Sequence, residues 1–529
     1  MRSAFKRLRK AALRYRPTAV TTLLLLLAIL FLPSLLMLLT IPPLWKDIDA
    51  YIQVTEPPGV STILHYAPLY GFVARVPLYL GYAYDCLRSG LPLPSCAFFA
   101  HPALSDSGVW LLLWAQHTAF CCCACLVIVS ATRLFVARLA LAILWAVNPL
   151  FYAFAHCVGS ETLSLILLLL LAGVGIRITA QPAKTPFWVW LVFGLLVSLS
   201  ILTRHINAIV AALLPLSFGF AGLVGVATLW RKSARERRWL LYRGSRDLRC
   251  VVAAVVLGIA SIAVANGTLR VISQAAGIHY HTRVGLTFMF RLNFFGPLSP
   301  NEREPLLQRA AANSRSDDIQ SVLNAIRAAP SEADTFDTMA LIKNAEALLP
   351  PQIAASIDKS DEVFNETAMA FLTSPSPIFL NAVGSDFVNS QKTILLTVVR
   401  QLLQGTTQYF FLMPKCANLV TIRDRSTREF LDNIHTHPYL ALWKRFTYTK
   451  LLFVWLLTFL FVALLPAGRN PGLLGYASAL IVTGLLMMLG TCFLTSFQPR
   501  FTLPMWELTI VSLTLLLGSA ANPAAKRAL

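Results

Sequence analysis

The sequence predicts an all-α polytopic membrane protein of about ten transmembrane helices, with interfacial helices in its first outer loop and a larger, mainly helical outer domain. Three observations predict it: a composition 56% hydrophobic and only 13% charged, apolar blocks long enough to cross a bilayer, and basic residues gathered in alternate short loops. Soluble domains are about 45–50% apolar and about 25% charged. Crossing hydrocarbon takes about 20 helical residues, and the apolar excess comes in runs of that length, for a mean hydropathy of +0.64.

The spans fall at about 18–41, 109–130, 136–155, 161–177, 187–203, 207–230, 250–268, 448–466, 472–495 and 501–518. The first follows a strongly basic stretch, Arg2 to Arg16. It is longer than a signal-peptide core and leads into Pro42–Pro43 rather than a small-residue cleavage site, so it is expected to be retained as a helix. With the N-terminus inside, the inner loops hold Arg133 and Arg138, then Lys184, then the dense run from Arg231 to Arg249, then Arg469, and finally Lys526 and Arg527. Each inner loop is net basic, as positive-inside orientation requires. Both termini are therefore expected in the cytoplasm, and the short loops point to a bacterial inner (plasma) membrane. Three regions follow: 1–268, a transmembrane module whose first outer loop is 42–108; 269–447, an extracytoplasmic (periplasmic or lumenal) domain; and 448–529, C-terminal transmembrane helices with a short tail.

Lysine and arginine outnumber aspartate and glutamate by 45 to 25, a net charge of +20. In a soluble protein that excess suggests nucleic acid. Here it sits mainly in orientation-setting loops, and nucleic acid is not expected as a partner. No glycine-rich phosphate loop is present and no inner loop can hold a nucleotide-binding domain, which disfavours ATP-driven transport. Cys121, Cys122, Cys123 and Cys125 lie within one span and read as small apolar packing residues. Cys86 and Cys96 share the first outer loop, where a disulfide can form.

Candidate chemistry gathers at the outer ends of spans. The first outer loop opens with Trp45-Lys46-Asp47-Ile48-Asp49-Ala50-Tyr51. An ionised aspartate there can serve as a general base, bind a divalent cation, or simply cap a helix. His65 and Tyr66 lead into an amphipathic stretch whose Tyr66, Tyr70, Tyr79 and Tyr82 are expected at headgroup depth. His156 and Glu161 flank the turn between the third and fourth spans, Arg204 and His205 that between the fifth and sixth, and Arg500 opens the last. Singly these residues are ordinary interface anchors. Together they set carboxylates, histidines and guanidinium groups on one surface, which suits holding a lipid phosphate beside a base. His117, alone in the second span, reads as a satisfied packing residue.

The order Asp47-Ile48-Asp49-Ala50-Tyr51, Tyr66-Ala67-Pro68-Leu69-Tyr70, Gly159-Ser160-Glu161-Thr162-Leu163, Leu202-Thr203-Arg204 and Arg500-Phe501-Thr502-Leu503-Pro504 resembles the GT-C superfamily of membrane glycosyltransferases. Protein O-mannosyltransferases and lipid A aminoarabinose transferases are among its members. The resemblance covers roughly 1–270 and 448–518. It implies transfer of a sugar from a polyprenyl-phosphate donor to a glycan, lipid or protein acceptor on the extracytoplasmic side, with inversion. It further implies a first-loop aspartate as base, Asp49 with Asp47 beside it, which would also hold a divalent cation if one is used. His65, Tyr66, Glu161, Arg204, His205 and Arg500 would contact substrate. Two other classes stay open from the residues alone: a transporter or lipid flippase, favoured by Asn148-Pro149 and His117 inside spans, and a membrane scaffold that binds a partner through the outer domain.

Overall fold

The computed structural model describes residues 18–41, 43–45, 48–55, 66–92, 104–229, 234–280, 284–332, 336–394, 397–398, 450–464 and 471–521. Among these, seven helices are long and apolar enough to cross a membrane, and three shorter apolar helices, Phe135–Ala146, Phe187–Thr203 and Leu451–Val462, lie between them in sequence. The chain is an all-α polytopic membrane protein.

The first helix, α1 (Ala19–Thr40), starts where the Thr18 hydroxyl accepts from the Thr21 N–H at 3.1 Å. Leu26, Leu30, Ser34 and Met37 are buried, while Leu24, Leu32 and Leu39 face outward, as a lipid-bathed helix requires. Beyond it come β1 (Leu44–Trp45), α2 (Ile48–Thr55) and α3 (Leu69–Arg88). Helix α3 buries Tyr70, Ala74, Leu78 and Gly81 and exposes Phe72, Val73, Val76 and Leu80. An apolar outer face on an element interrupted by Arg75 and Pro77 suits a helix lying in the interface. Tyr66, Tyr79 and Tyr82 are half-buried, but Tyr70 is only 2% exposed, so it packs inward instead of meeting headgroups. Cys86, near the end of α3, is disulfide-bonded; Cys96 lies outside the described residues.

Helix α4 (Asp106–Ala131) is capped by the Ser105 hydroxyl, which accepts from Gly108 N–H at 3.2 Å. Asp85 of α3 receives the Ser107 N–H and O–H at 3.3 and 2.6 Å, placing a carboxylate at the positive end of α4. The expected third span is divided into α5 (Phe135–Ala146) and α6 (Pro149–Ala155). Pro149 supplies no N–H and keeps Asn148 out of the helical region, so the helix must restart; the Asn148 side chain caps the restart by accepting from Leu150 N–H at 3.1 Å. Strand β2 (Cys157–Val158) then pairs in parallel with β1, Leu44 against Cys157 and Trp45 against Val158. Next come α7 (Ser160–Ala180), α8 (Phe187–Thr203), a 3-10 segment His205–Ala212, α9 (Leu213–Leu229) and the long α10 (Ala234–Ala275), which runs past the expected boundary at 268.

The segment expected as the outer domain is helical: α11 (Gly285–Met289), a 3-10 turn Phe290–Phe295, α12 (Pro300–Asn313), α13 (Gln320–Ala328), α14 (Thr338–Leu348), α15 (Pro351–Ala354), α16 (Ile357–Leu372) and α17 (Pro377–Lys392). Ser299 and Glu302 close a reciprocal capping box on α12. Phe288, Phe294, Phe295, Phe371 and Phe379 form its aromatic centre, with ring centroids 4.2–6.4 Å apart. Of the amphipathic run expected at 393–411, most lies outside the described residues, as does the Arg423/Arg425/Arg428 cluster. Helices α18 (Leu451–Leu464), α19 (Pro471–Leu494) and α20 (Leu503–Ala521) complete the bundle.

Small residues set two crossings. A Cβ on Gly81 would lie 2.2 Å from Gly108 N, and one on Gly475 would lie 2.4 Å from the Ser217 carbonyl oxygen. Backbone cannot rotate away as a side chain can, so Gly81→Ala is expected to destabilise the α3–α4 crossing by about 1–3 kcal/mol. Thermal unfolding in detergent checks this, with Gly219→Ala, where nothing lies within 4 Å, as the neutral control.

Candidate active site at the outer end of the bundle

The loop after α1, expected as the first outer loop, departs from the bundle through a short hydrogen-bonded seam. The Leu44 N–H donates to the His156 carbonyl at 3.3 Å, and the β1–β2 pair follows. The same seam therefore begins the segment bearing Asp47 and Asp49 and ends just before Glu161. Asp49 lies in the first turn of α2; its side chain, all of Asp47 and all of His65 lie outside the described residues. Helix α2 is docked on α3: the Arg75 Nε–H donates to the Val54 carbonyl at 3.2 Å, and Gly71 leaves room for the Gln53 carbonyl.

Tyr70 joins α3 to the Glu161 turn. Its hydroxyl accepts from Gly159 N–H at 2.8 Å and donates to Gln116 Oε1 at 3.3 Å. The Gln116 amide in turn donates to the Ala155 and Cys157 carbonyls, both at 3.1 Å. Burial pushes the Tyr70 phenol well above its ordinary range, which keeps it a neutral donor.

A second chain of hydrogen bonds fixes the end of α1. His156 Nε2 lies 2.9 Å from the Ile41 carbonyl oxygen, which can only accept, so this nitrogen carries the proton. Nδ1 of His156 then accepts from His117 Nε2–H at 3.1 Å, and His117 Nδ1 accepts from the Ser34 hydroxyl at 2.9 Å. With both imidazoles neutral, the polarity of the whole chain follows from one carbonyl.

Glu161 lies in the first turn of α7, where a carboxylate is favoured by the helix dipole. It is ion-paired with Arg204 at 3.2 Å, the two side chains being 2% and 18% exposed. Arg204 ends α8 and begins the 3-10 segment. Asn207 holds that junction against α7, donating to Ser164 Oγ at 2.9 Å and to Ser200 Oγ and O at 3.0 and 3.1 Å. His205 beside Arg204 and Tyr66 before α3 are half-buried. Gly490, in the last turns of α19, faces the Ile206 and Ile209 side chains across 3.1–3.2 Å from its Cβ position. The turn Pro499–Thr502 that follows α19 therefore lies at the same end of the bundle, and Arg500 sits there half-buried, its guanidinium 5.5 Å from the Phe501 ring centroid.

The structure thus unites Glu161 with Arg204, ties both to the first outer loop through Tyr70 and β1–β2, and puts Arg500 at the same end. Among the described residues no three His, Cys, Asp or Glu side chains cluster as a metal site. Gln116, Asn207 and the partnership of His117 with His156 were not apparent in the sequence; their only signal is a polar residue inside an apolar run.

Arg204→Met is expected to lower stability by about 3 kcal/mol or more, because it strands a buried carboxylate. The double variant Glu161→Gln/Arg204→Met is expected to regain much of that loss, measurable as a thermal double-mutant cycle.

No family model matches the chain, and no curated protein matches it. Among solved structures, the chain is similar to crystal structures of ArnT from Cupriavidus metallidurans. Against the apo state the identity is 11%, the match covers 95% of this chain and 77% of that one, and the TM-score is 0.28. Against the form bound to undecaprenyl phosphate the identity is 12%, with coverages of 95% and 79% and a TM-score of 0.29.

Proposed function

We propose that this protein is a membrane glycosyltransferase of the GT-C kind, moving a sugar from a polyprenyl-phosphate donor to an acceptor on the extracytoplasmic side. The observation that carries the reading is the Glu161–Arg204 pair, tethered to the aspartate-bearing loop by β1–β2 and by the Tyr70–Gly159 bond. Acid and cation on one rigid outer platform is what transfer from a lipid phosphate needs.

In this reading the prenyl tail stays in the bilayer and the sugar phosphate reaches the platform. Asp49, with Asp47 beside it, removes the proton of the acceptor hydroxyl, and the oxygen attacks the anomeric carbon from the face opposite the phosphate. The bond from that carbon to the phosphate oxygen breaks, polyprenyl phosphate leaves, and the anomeric centre inverts. Arg204 and Arg500 meet the charge that grows on the leaving phosphate. Glu161 holds Arg204 in place, while His65, Tyr66 and His205 contact donor or acceptor. A divalent cation, if used, would be held by Asp47 and Asp49. The setting is a bacterial inner membrane with both termini in the cytoplasm.

A transporter or flippase is the reading that Glu507 favours. It lies within the last span, 1% exposed, with both carboxylate oxygens lacking hydrogen-bond partners, and ionisable residues inside spans often mark transport paths.

The test is transfer from a polyprenyl-phosphate sugar pool in membranes carrying Asp47→Asn or Asp49→Asn. Asp49→Asn is expected to lower transfer about 100-fold or more at normal expression, the usual effect of losing a general base. Activity that survives both substitutions moves the base elsewhere, with Glu161 next. Wild-type membranes that transfer nothing, but move lipid in a Glu507-dependent way, would establish the transport reading instead.

A further inference from the structure

Arg291 lies in the 3-10 turn Phe290–Phe295, is 1% exposed, and is used by nothing proposed above. Three sides of its guanidinium are distinct. Nη1 is ion-paired with Asp386 of α17. One face lies over Phe379, with Cζ 5.7 Å from the ring centroid. The remaining edge carries Nε and Nη2, both buried and both without a hydrogen-bond partner. That edge is the side-on fork with which arginine grips two oxygens of one carboxylate or phosphate. Leaving two charge-assisted donors buried and unmatched is costly, and native proteins rarely do it without a ligand or ion to complete them.

Position narrows the ligand. Phe379 packs on Phe493 in the last turn of α19, with ring centroids 6.0 Å apart. Arg291 therefore sits where the outer domain meets the outer end of the bundle, just before the turn that bears Arg500. A phosphate on a lipid whose tail runs beside the bundle would be held at such an end of the spans. Asp386, 24% exposed, is the solvent-facing side of the pair.

We propose that the Nε/Nη2 fork of Arg291 binds a phosphate oxyanion, and that Asp386 orients the guanidinium for it. The phosphate belongs either to the lipid carrier or to a soluble phosphorylated group. This deepens the reading of the chain as a polyprenyl-phosphate enzyme and rests on it only for the choice of lipid.

The experiment measures binding by thermal shift on the full-length protein in neutral detergent, using undecaprenyl phosphate and, separately, inorganic phosphate. Arg291→Lys keeps the charge but loses the fork, and is expected to weaken the responding ligand at least tenfold. Asp386→Asn keeps an oxygen acceptor for Nη1 and removes the opposing charge, so it is expected to tighten binding several-fold. A merely structural ion pair predicts the opposite pattern: lower stability in both variants with affinity unchanged. A response to undecaprenyl phosphate alone assigns the carrier, and one to inorganic phosphate as well assigns a soluble group. Wild-type affinity for both ligands in Arg291→Lys, or no binding of either by the wild type, overturns the inference. The transferase reading is judged separately by sugar transfer: a protein that binds phosphate through Arg291 yet transfers no sugar keeps this inference and loses that reading.

Discussion

Carbonyl groups that a membrane helix cannot satisfy internally must find donors elsewhere, and at the outer half of α1 this requirement organises the protein. Pro33 offers no N–H to the Ile29 carbonyl one turn earlier, which loosens the ladder there. The adjacent Leu30 carbonyl takes donors from other helices, the Tyr152 hydroxyl at 2.8 Å and the Cys121 thiol at 3.4 Å. The Ile41 carbonyl accepts from His156. With water excluded, an unmet carbonyl would cost several kcal/mol, so α4 and α6 are bound to α1 at fixed register. The β1–β2 seam, the docking of α2 on α3 and the position of the Glu161 turn all inherit that register.

How much of this could be read from residues alone depended on whether the cause was local. The spans follow from composition; the Pro149 break and the Ser299–Glu302 cap also have local signals, although by composition alone 136–155 reads as one continuous span. The Glu161–Arg204 pair has no such local signal: both residues read as outer-end anchors, but their contact is set by α7 packing on α8, with the Asn207 bonds to Ser164 and Ser200 helping to align the two helix ends. His117 and His156 carried a signal each, as polar residues at the middle and end of apolar runs. Their bond joins separate helices, so neither pattern announces the other. Tyr70 was misplaced at the headgroups because an interfacial helix has two faces, and the side it turns inward depends on Gly81 meeting Gly108. The side chains of Asp47, Asp49 and His65, to which the proposed chemistry is assigned, lie outside the described residues.

The described polar groups separate by depth, and the separation bears on mechanism. Within the bundle, Ser34, His117, Tyr152 and Gln116 are satisfied by neutral hydrogen bonds whose directions are fixed by backbone carbonyls. The described ion pairs sit at the end of the bundle from which the first loop departs or in the helical segment after α10, as Glu161–Arg204 and Arg291–Asp386 do. A guanidinium held by a carboxylate has already lost the freedom it would otherwise surrender when a ligand arrives. It also retains further N–H donors, since a carboxylate occupies only part of its fork. A phosphate whose charge grows as a sugar leaves would then meet donors that need not reorganise, which is the condition under which electrostatic stabilisation is strongest. The neutral hydrogen bonds below hold α1, α4 and α6 together, and the seam from which the first loop departs rests on them. Rigidity beneath and charge above both follow from the cost of leaving polar groups unmatched in hydrocarbon, a cost that Glu507, buried in the last span without a hydrogen-bond partner, stands out against.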